Sequence, residues 1–167
     1  MRRAVVGLVV VGVVVGVGPV SACSGGGASS ATGISKRTFV READAICAAT
    51  TVQLKALGSA PTDPVLASAY LSKSAAIFTS ALNQLQSLDG PPADRAILQD
   101  HLISFSVAQI ASIQGYVAQI NASAGNTAAA QAVVAKMVND PVLSADHSAD
   151  DTALGNAGFS DCSKLGT

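Results

Sequence analysis

From Ser35 onward the apolar residues of this chain recur every three or four positions, the period of one face of an α-helix. Phe39, Ala43, Ile46, Cys47, Leu54 and Leu57 mark a first helix, which Ser35 or Thr38 can cap and Gly58 ends. Asp63-Pro64 opens a second, with Asp as N-cap and Pro where its missing N–H costs nothing. Its stripe is Leu66, Tyr70, Ile77, Ala81, Leu85 and Leu88, and Gly90 closes it. Pro91-Pro92 turns into the longest helix, about 92–124, striped by Leu98, Leu102, Phe105, Ile113, Tyr116 and Ile120 and ended by Gly125-Asn126. Ala128 to Val138 forms helix readily, and Asp140-Pro141 repeats the start signal of Asp63-Pro64. The last third reads as helices at about 127–139 and 141–154, or as one helix kinked at Pro141. Gly155 to Gly158 then breaks the chain before Phe159 and Cys162. Strand signals are absent from all of this. Short connections predict antiparallel neighbours, so residues 36–167 are expected to form an all-α, up-down bundle of four or five helices.

The chain upstream has a different grammar. Met1-Arg2-Arg3 precedes an unbroken apolar or small stretch from Ala4 to Gly18, which is followed by Val20-Ser21-Ala22-Cys23. Charge, greasy core and small-residue boundary, in that order, read as an export signal rather than part of the fold. The stretch is shorter than the ~20 residues a membrane-crossing helix needs. A plain secretory signal ending at Ser21-Ala22-Cys23 and an uncleaved membrane helix are the competing readings. The four boundary residues resemble the bacterial lipobox: an aliphatic residue, two small ones, then cysteine. That resemblance implies a cleaved signal peptide over 1–22, diacylglycerol on the Cys23 thiol, and an extracytoplasmic chain anchored to the cell membrane. Residues 23–35 (CSGGGASSATGIS) have almost nothing to bury and read as a flexible tether with an r.m.s. reach of roughly 20 Å.

Cleavage changes the composition. Without Arg2 and Arg3, eight basic residues face 11 acidic ones, a net charge of −3, and the bases are scattered along the chain. There is no basic stripe with aromatic readers, which argues against a nucleic-acid partner. Lipidation of Cys23 would leave Cys47 and Cys162 as one pair in an oxidising setting, where a disulfide is expected; the alternative is two inert buried thiols. The first-helix motif Phe39-x-x-x-Ala43-Asp44-Ala45-x-Cys47, with a second cysteine near the C-terminus, is similar to small helical lipoproteins of actinobacteria. The resemblance implies a fold and a location and lends no activity.

Chemistry is sparse. A Gly-x-Ser-x-Gly elbow is missing, and only His101 and His147 could serve a nucleophile as base. A carboxylate-bridged di-metal site needs several glutamates, and the chain has one, Glu42. Asp146, His147, Asp150 and Asp151 would adjoin on a helix over 141–154 and are the weak candidates for a divalent ion, although such a run is usually a solvated face. His101 reads as a boundary residue of its stripe. Asp44 reads as one of an exposed helix pair, the alternative being a partly buried carboxylate with Arg41 or Lys36 as partner. No cofactor and no catalytic residue is expected. Helices rich in Ala, Ser and Gln predict close approach and a filled core. The expected function is therefore a non-enzymatic interaction or structural module of the envelope with a protein partner. The alternative is a carrier for a lipid or other small apolar ligand, with Tyr70, Phe78, Phe105 and Tyr116 as candidate lining.

Overall fold

A computed structural model describes residues 34–165. The expected signal peptide, Cys23 and nearly all of the expected tether lie outside the described residues. The described chain is all-helical, as its periodicity predicts: α1 (Lys36–Ala56), α2 (Pro64–Ser87), α3 (Pro92–Leu98), α4 (Ser104–Ala122), α5 (Thr127–Val138) and α6 (Ser148–Ala157). A π-turn, Gln99–Ile103, joins α3 to α4 without a break, and a 3₁₀ turn, Cys162–Lys164, follows α6. The arrangement is an up-down bundle. Helices α1, α2 and the continuous 92–122 helix alternate in direction, and α5 with α6 makes the fourth rod in two pieces. The first piece lies against α4 and α2, the second against α3 and the π-turn.

Local signals account for most boundaries. Ser35 Oγ accepts from the Thr38 amide, and Asp63 Oδ1 accepts from the Val65 and Leu66 amides at 2.9 and 3.0 Å. Gly58 and Gly125 take the positive φ that ends a helix without Cβ strain. Asn126, expected only as a stop, also caps α5 through its bond from the Ala129 amide.

The helix expected over 141–154 starts late: α6 begins only at Ser148 and runs on to Ala157. Asp140 does begin a turn, accepting from the amides of Val142 and Leu143. Its other oxygen is bound by Ser112 Oγ at 2.9 Å and Tyr116 OH at 2.8 Å, which fastens the turn to α4. With only Val142 and Leu143 to bury, the turn does not propagate, and helix resumes at Ser148. Gly155 lies within α6, and the break falls at Gly158 alone, at φ +102°. There the Phe159 amide reaches Leu154 O and the Gly158 amide reaches Gly155 O, a Schellman closure.

Two stripes differ from their expected faces. Leu66 is 59% exposed, whereas Ala67, Ser68, Ser74 and Ala75 are buried. Small residues let α2 approach α4, and Ser68 Oγ donates to Asn121 Oδ1 across the contact. In the long helix the π-turn inserts one residue, so Leu102 and Ile103 are both buried and the stripe continues through Ser106 and Ile110. Phe105, Ile113 and Tyr116 are half-buried beside it. By length and composition alone, α2 and the 92–122 helix could each cross a bilayer. Their exposed faces, however, carry Lys73, Asn83, Gln84, Arg95, Asp100 and Gln114, which suit water.

The main core gathers Phe39, Ala43 and Cys47 of α1 with Leu98, Leu102, Leu154 and Phe159. Phe39 and Phe159 meet edge to face at 5.9 Å. Cys47 and Cys162 form a disulfide across a separation of 115 residues, worth at most ~4–5 kcal/mol by chain entropy. Gly90 lies directly on the Phe39 ring: a Cβ there would overlap Cδ2 and come within 2.6 Å of Cγ. Phe39 is fully buried against Phe159 and has nowhere to go. Gly90→Ala is therefore expected to lower stability by ~1–3 kcal/mol in chemical denaturation; an unchanged midpoint would show that the ring can yield.

Candidate functional site

The chemistry-bearing side chains collect at the end of the bundle where α1, α3, the π-turn and α6 meet. Asp44 is paired with neither Arg41 nor Lys36. Its Oδ2 accepts from the Ser160 amide and Ser160 Oγ, both at 3.0 Å, and its Oδ1 accepts from the amides of Asp161 and Cys162 at 2.9 and 3.2 Å. One carboxylate thus serves four donors of a segment more than 110 residues away. The cause is geometric: the Schellman turn at Gly158 reverses the chain over α1, leaving amides without helical partners facing Asp44. Lys36 goes instead to the buried carboxylate of Asp94, at 2.9 Å.

A second polar group joins α6 to the long helix. His101 Nδ1 lies 2.8 Å from Asp150 Oδ1, and His147 Nδ1 lies 3.5 Å from Asp150 Oδ2. The other nitrogen of His147 is 3.1 Å from Gln109 Nε2, so the amide donates to it and its own proton sits on Nδ1, toward Asp150. The His147 ring stacks on Phe105 at 4.0 Å. His101 reaches Asp150 because it rides on the π-turn; it is a cross-link, more than the boundary residue expected of it. The bond from His101 holds the Asp150 carboxyl below its ordinary range, and Asp140 is lowered chiefly by Tyr116. Burial pushes Asp151 up. Asp146 turns to the Ser148 amide, which lowers it, rather than joining His147 and Asp150. The weak candidate ion site is therefore divided between two roles. Among the described residues no cluster of three or more His, Cys, Asp or Glu side chains is disposed to hold a metal ion. Among the described residues no hydroxyl or thiol is hydrogen-bonded to either imidazole. The His–Asp–His group is built as a clasp.

An open groove of about 800 Å³ lies between α1 and the end of α6, beside the Asp44 carboxylate. Arg37, Val40, Arg41 and Ala45 form one wall, and Ala157, Gly158 and Asp161 the other. Arg37 and Arg41 are exposed and make no hydrogen bond or ion pair among the described residues. Along the sequence they are two of the scattered bases; their i,i+4 spacing opposite the Phe39–Ala43–Cys47 stripe is the signal that marks them as one face. Comparison with protein-family models, with curated proteins and with solved structures finds no match to this chain.

Asp44→Ala removes the partner of four donors and is expected to cost ~2–4 kcal/mol in denaturant unfolding; a loss below about 0.5 kcal/mol, the level of an ordinary surface change, would remove Asp44 from the account. Asp150 has a folded-state pKa below its unfolded value, so its stabilisation is complete above the ordinary value of 3.8 and is lost as pH falls through the folded value. Urea midpoints should accordingly fall on acidification in that window. Asp150→Asn should be weaker at neutral pH and less acid-sensitive; parallel curves for the two proteins would contradict the clasp.

Proposed function

We propose that this chain is a lipid-anchored, non-enzymatic binding module on the extracytoplasmic face of the cell membrane, tethered through Cys23 and working through contacts of its bundle with an envelope partner. One observation carries this reading. The side chains able to do chemistry fasten elements together, whereas Arg37 and Arg41 stand exposed and unpartnered beside the open, partly apolar α1–α6 groove. Asp44, Asp140, Asp150, His101 and His147 are each engaged in bonds that hold the fold. A catalytic group needs a free proton site facing a substrate pocket, and these are committed elsewhere. Arg37 and Arg41 are free to meet something else.

The carrier reading has one observation in its favour: the groove volume falls in the range of roughly 300–1,000 Å³ typical of small-ligand sites. Against it, the interior is filled by Phe39, Phe159, Leu98, Leu102 and Leu154, and Phe105 and Tyr116 are engaged with His147 and Asp140. A surface contact suits the groove better than an enclosed cargo.

Intact, non-reduced mass of protein extracted gently from its own membrane tests the proposal. The expected species begins at Cys23, carries acyl mass and lacks two hydrogens. Cys23→Ala is expected to leave the membrane fraction. A variant that stays membrane-bound would overturn the anchor, and a tightly retained apolar ligand in the native spectrum would favour the carrier.

A further inference from the structure

The groove has an uneven charge. Lys36 is neutralised by Asp94, and Asp44 is engaged by the four donors of residues 160–162. What remains is Arg37 and Arg41, one turn apart on one rim, against Asp161 on the other. Between the rims the floor is apolar, made by Val40, Ala45 and Ala157, and Gly158 adds no side chain to fill it. An apolar trough edged by two unpartnered guanidiniums matches an amphiphile with an anionic head. Guanidinium groups bind phosphate oxygens in pairs and stay charged at any physiological pH. The position of the groove narrows the choice. Its first lining residue, Lys36, is only 13 residues from Cys23, a length of chain that keeps this end of α1 near the proposed anchor.

We propose that the α1–α6 groove docks on an anionic phospholipid of the membrane that carries Cys23, with the headgroup phosphate on Arg37 and Arg41 and the glycerol and upper acyl carbons against Val40, Ala45 and Ala157. The proposal rests on the anchored reading above. Its consequence is orientation: the bundle lies against the bilayer by this face instead of swinging at the end of its tether.

The lipidated protein is placed in phosphatidylcholine vesicles, with or without phosphatidylglycerol, each doped with a photoactivatable analogue of its own lipid. Adducts are then mapped by peptide mass. Two basic residues at an anionic surface correspond to roughly thirty-fold in local occupancy at low ionic strength. Adducts over 36–45 and 157–161 should be enriched to about that extent by phosphatidylglycerol. The double variant Arg37→Glu, Arg41→Glu should abolish the enrichment, with its melting temperature unchanged because both side chains are exposed and unpaired. Protein retained on both vesicle types with equal or scattered adducts overturns the docking and leaves the anchor standing. Protein that does not stay on phosphatidylcholine vesicles overturns the anchor, and groove adducts with phosphatidylglycerol then decide the docking by themselves. Adducts abolished by inorganic phosphate would assign the groove to a free anion and overturn the lipid assignment.

Discussion

The attachment of the C-terminal segment to α1 is the constraint on which the rest of this molecule depends. Residues 158–165 make only a Schellman turn and a single 3₁₀ turn, far too little hydrogen bonding to persist alone. Three different interactions seat them on α1: the Cys47–Cys162 bond, the Asp44 carboxylate, and the edge-to-face pair of Phe39 with Phe159. They occupy successive turns of one helix, at positions 39, 43–44 and 47. Remove them and the fully buried Phe159 loses its seat, and with it goes the Gly90 contact that aligns the start of α3 beneath the same ring.

The fourth rod of the bundle shows why that attachment is needed. Helix α6 has ten residues and one fully buried side chain, Leu154, so neither its length nor its apolar area would hold it in place. It is pinned from both ends. The 3₁₀ turn and disulfide lie beyond its C-terminus, and at its first turn Asp150 sits between His101 and His147. The break before it is imposed by α4, whose Ser112 and Tyr116 take the Asp140 oxygen and hold the chain in a turn where a helix could have run on. Polar residues that in isolation suggest catalysis thus do the fastening that a larger apolar face does elsewhere.

This division also explains what could be read from the chain. Ser35, Asp63-Pro64 and Gly125 act on amides within a few residues, so their effect is written locally. The Cys47–Cys162 pair was accessible through the parity of the cysteines once Cys23 was set aside. Asp44 was not, because three of its four donors are backbone amides brought back by a turn over a hundred residues later, and an amide carries no sequence signature. Leu66 was misplaced because period alone favours the largest side chains, whereas close packing of α2 on α4 selects Ala67, Ser68 and Ala75. The π-turn left no mark of its own. It shifts the buried stripe to Ile103 and Ile110 and turns His101 toward α6, a consequence of how the long helix satisfies the core on one side and the fourth rod on the other.

The groove inherits all of this. Its α6 wall, Ala157 to Asp161, stands where it does only because the same segment is fastened to α1, and Gly158 keeps that wall low by taking a backbone conformation closed to other residues. A chain whose cysteines stayed reduced would have one fastening fewer on that wall and a less ordered trough beside Arg37 and Arg41. Under the proposed export, the oxidising compartment that closes the disulfide is also the one in which the tether meets the outer membrane surface. Assembly of the groove and access to its proposed lipid would then coincide in place, without any further switch in the molecule.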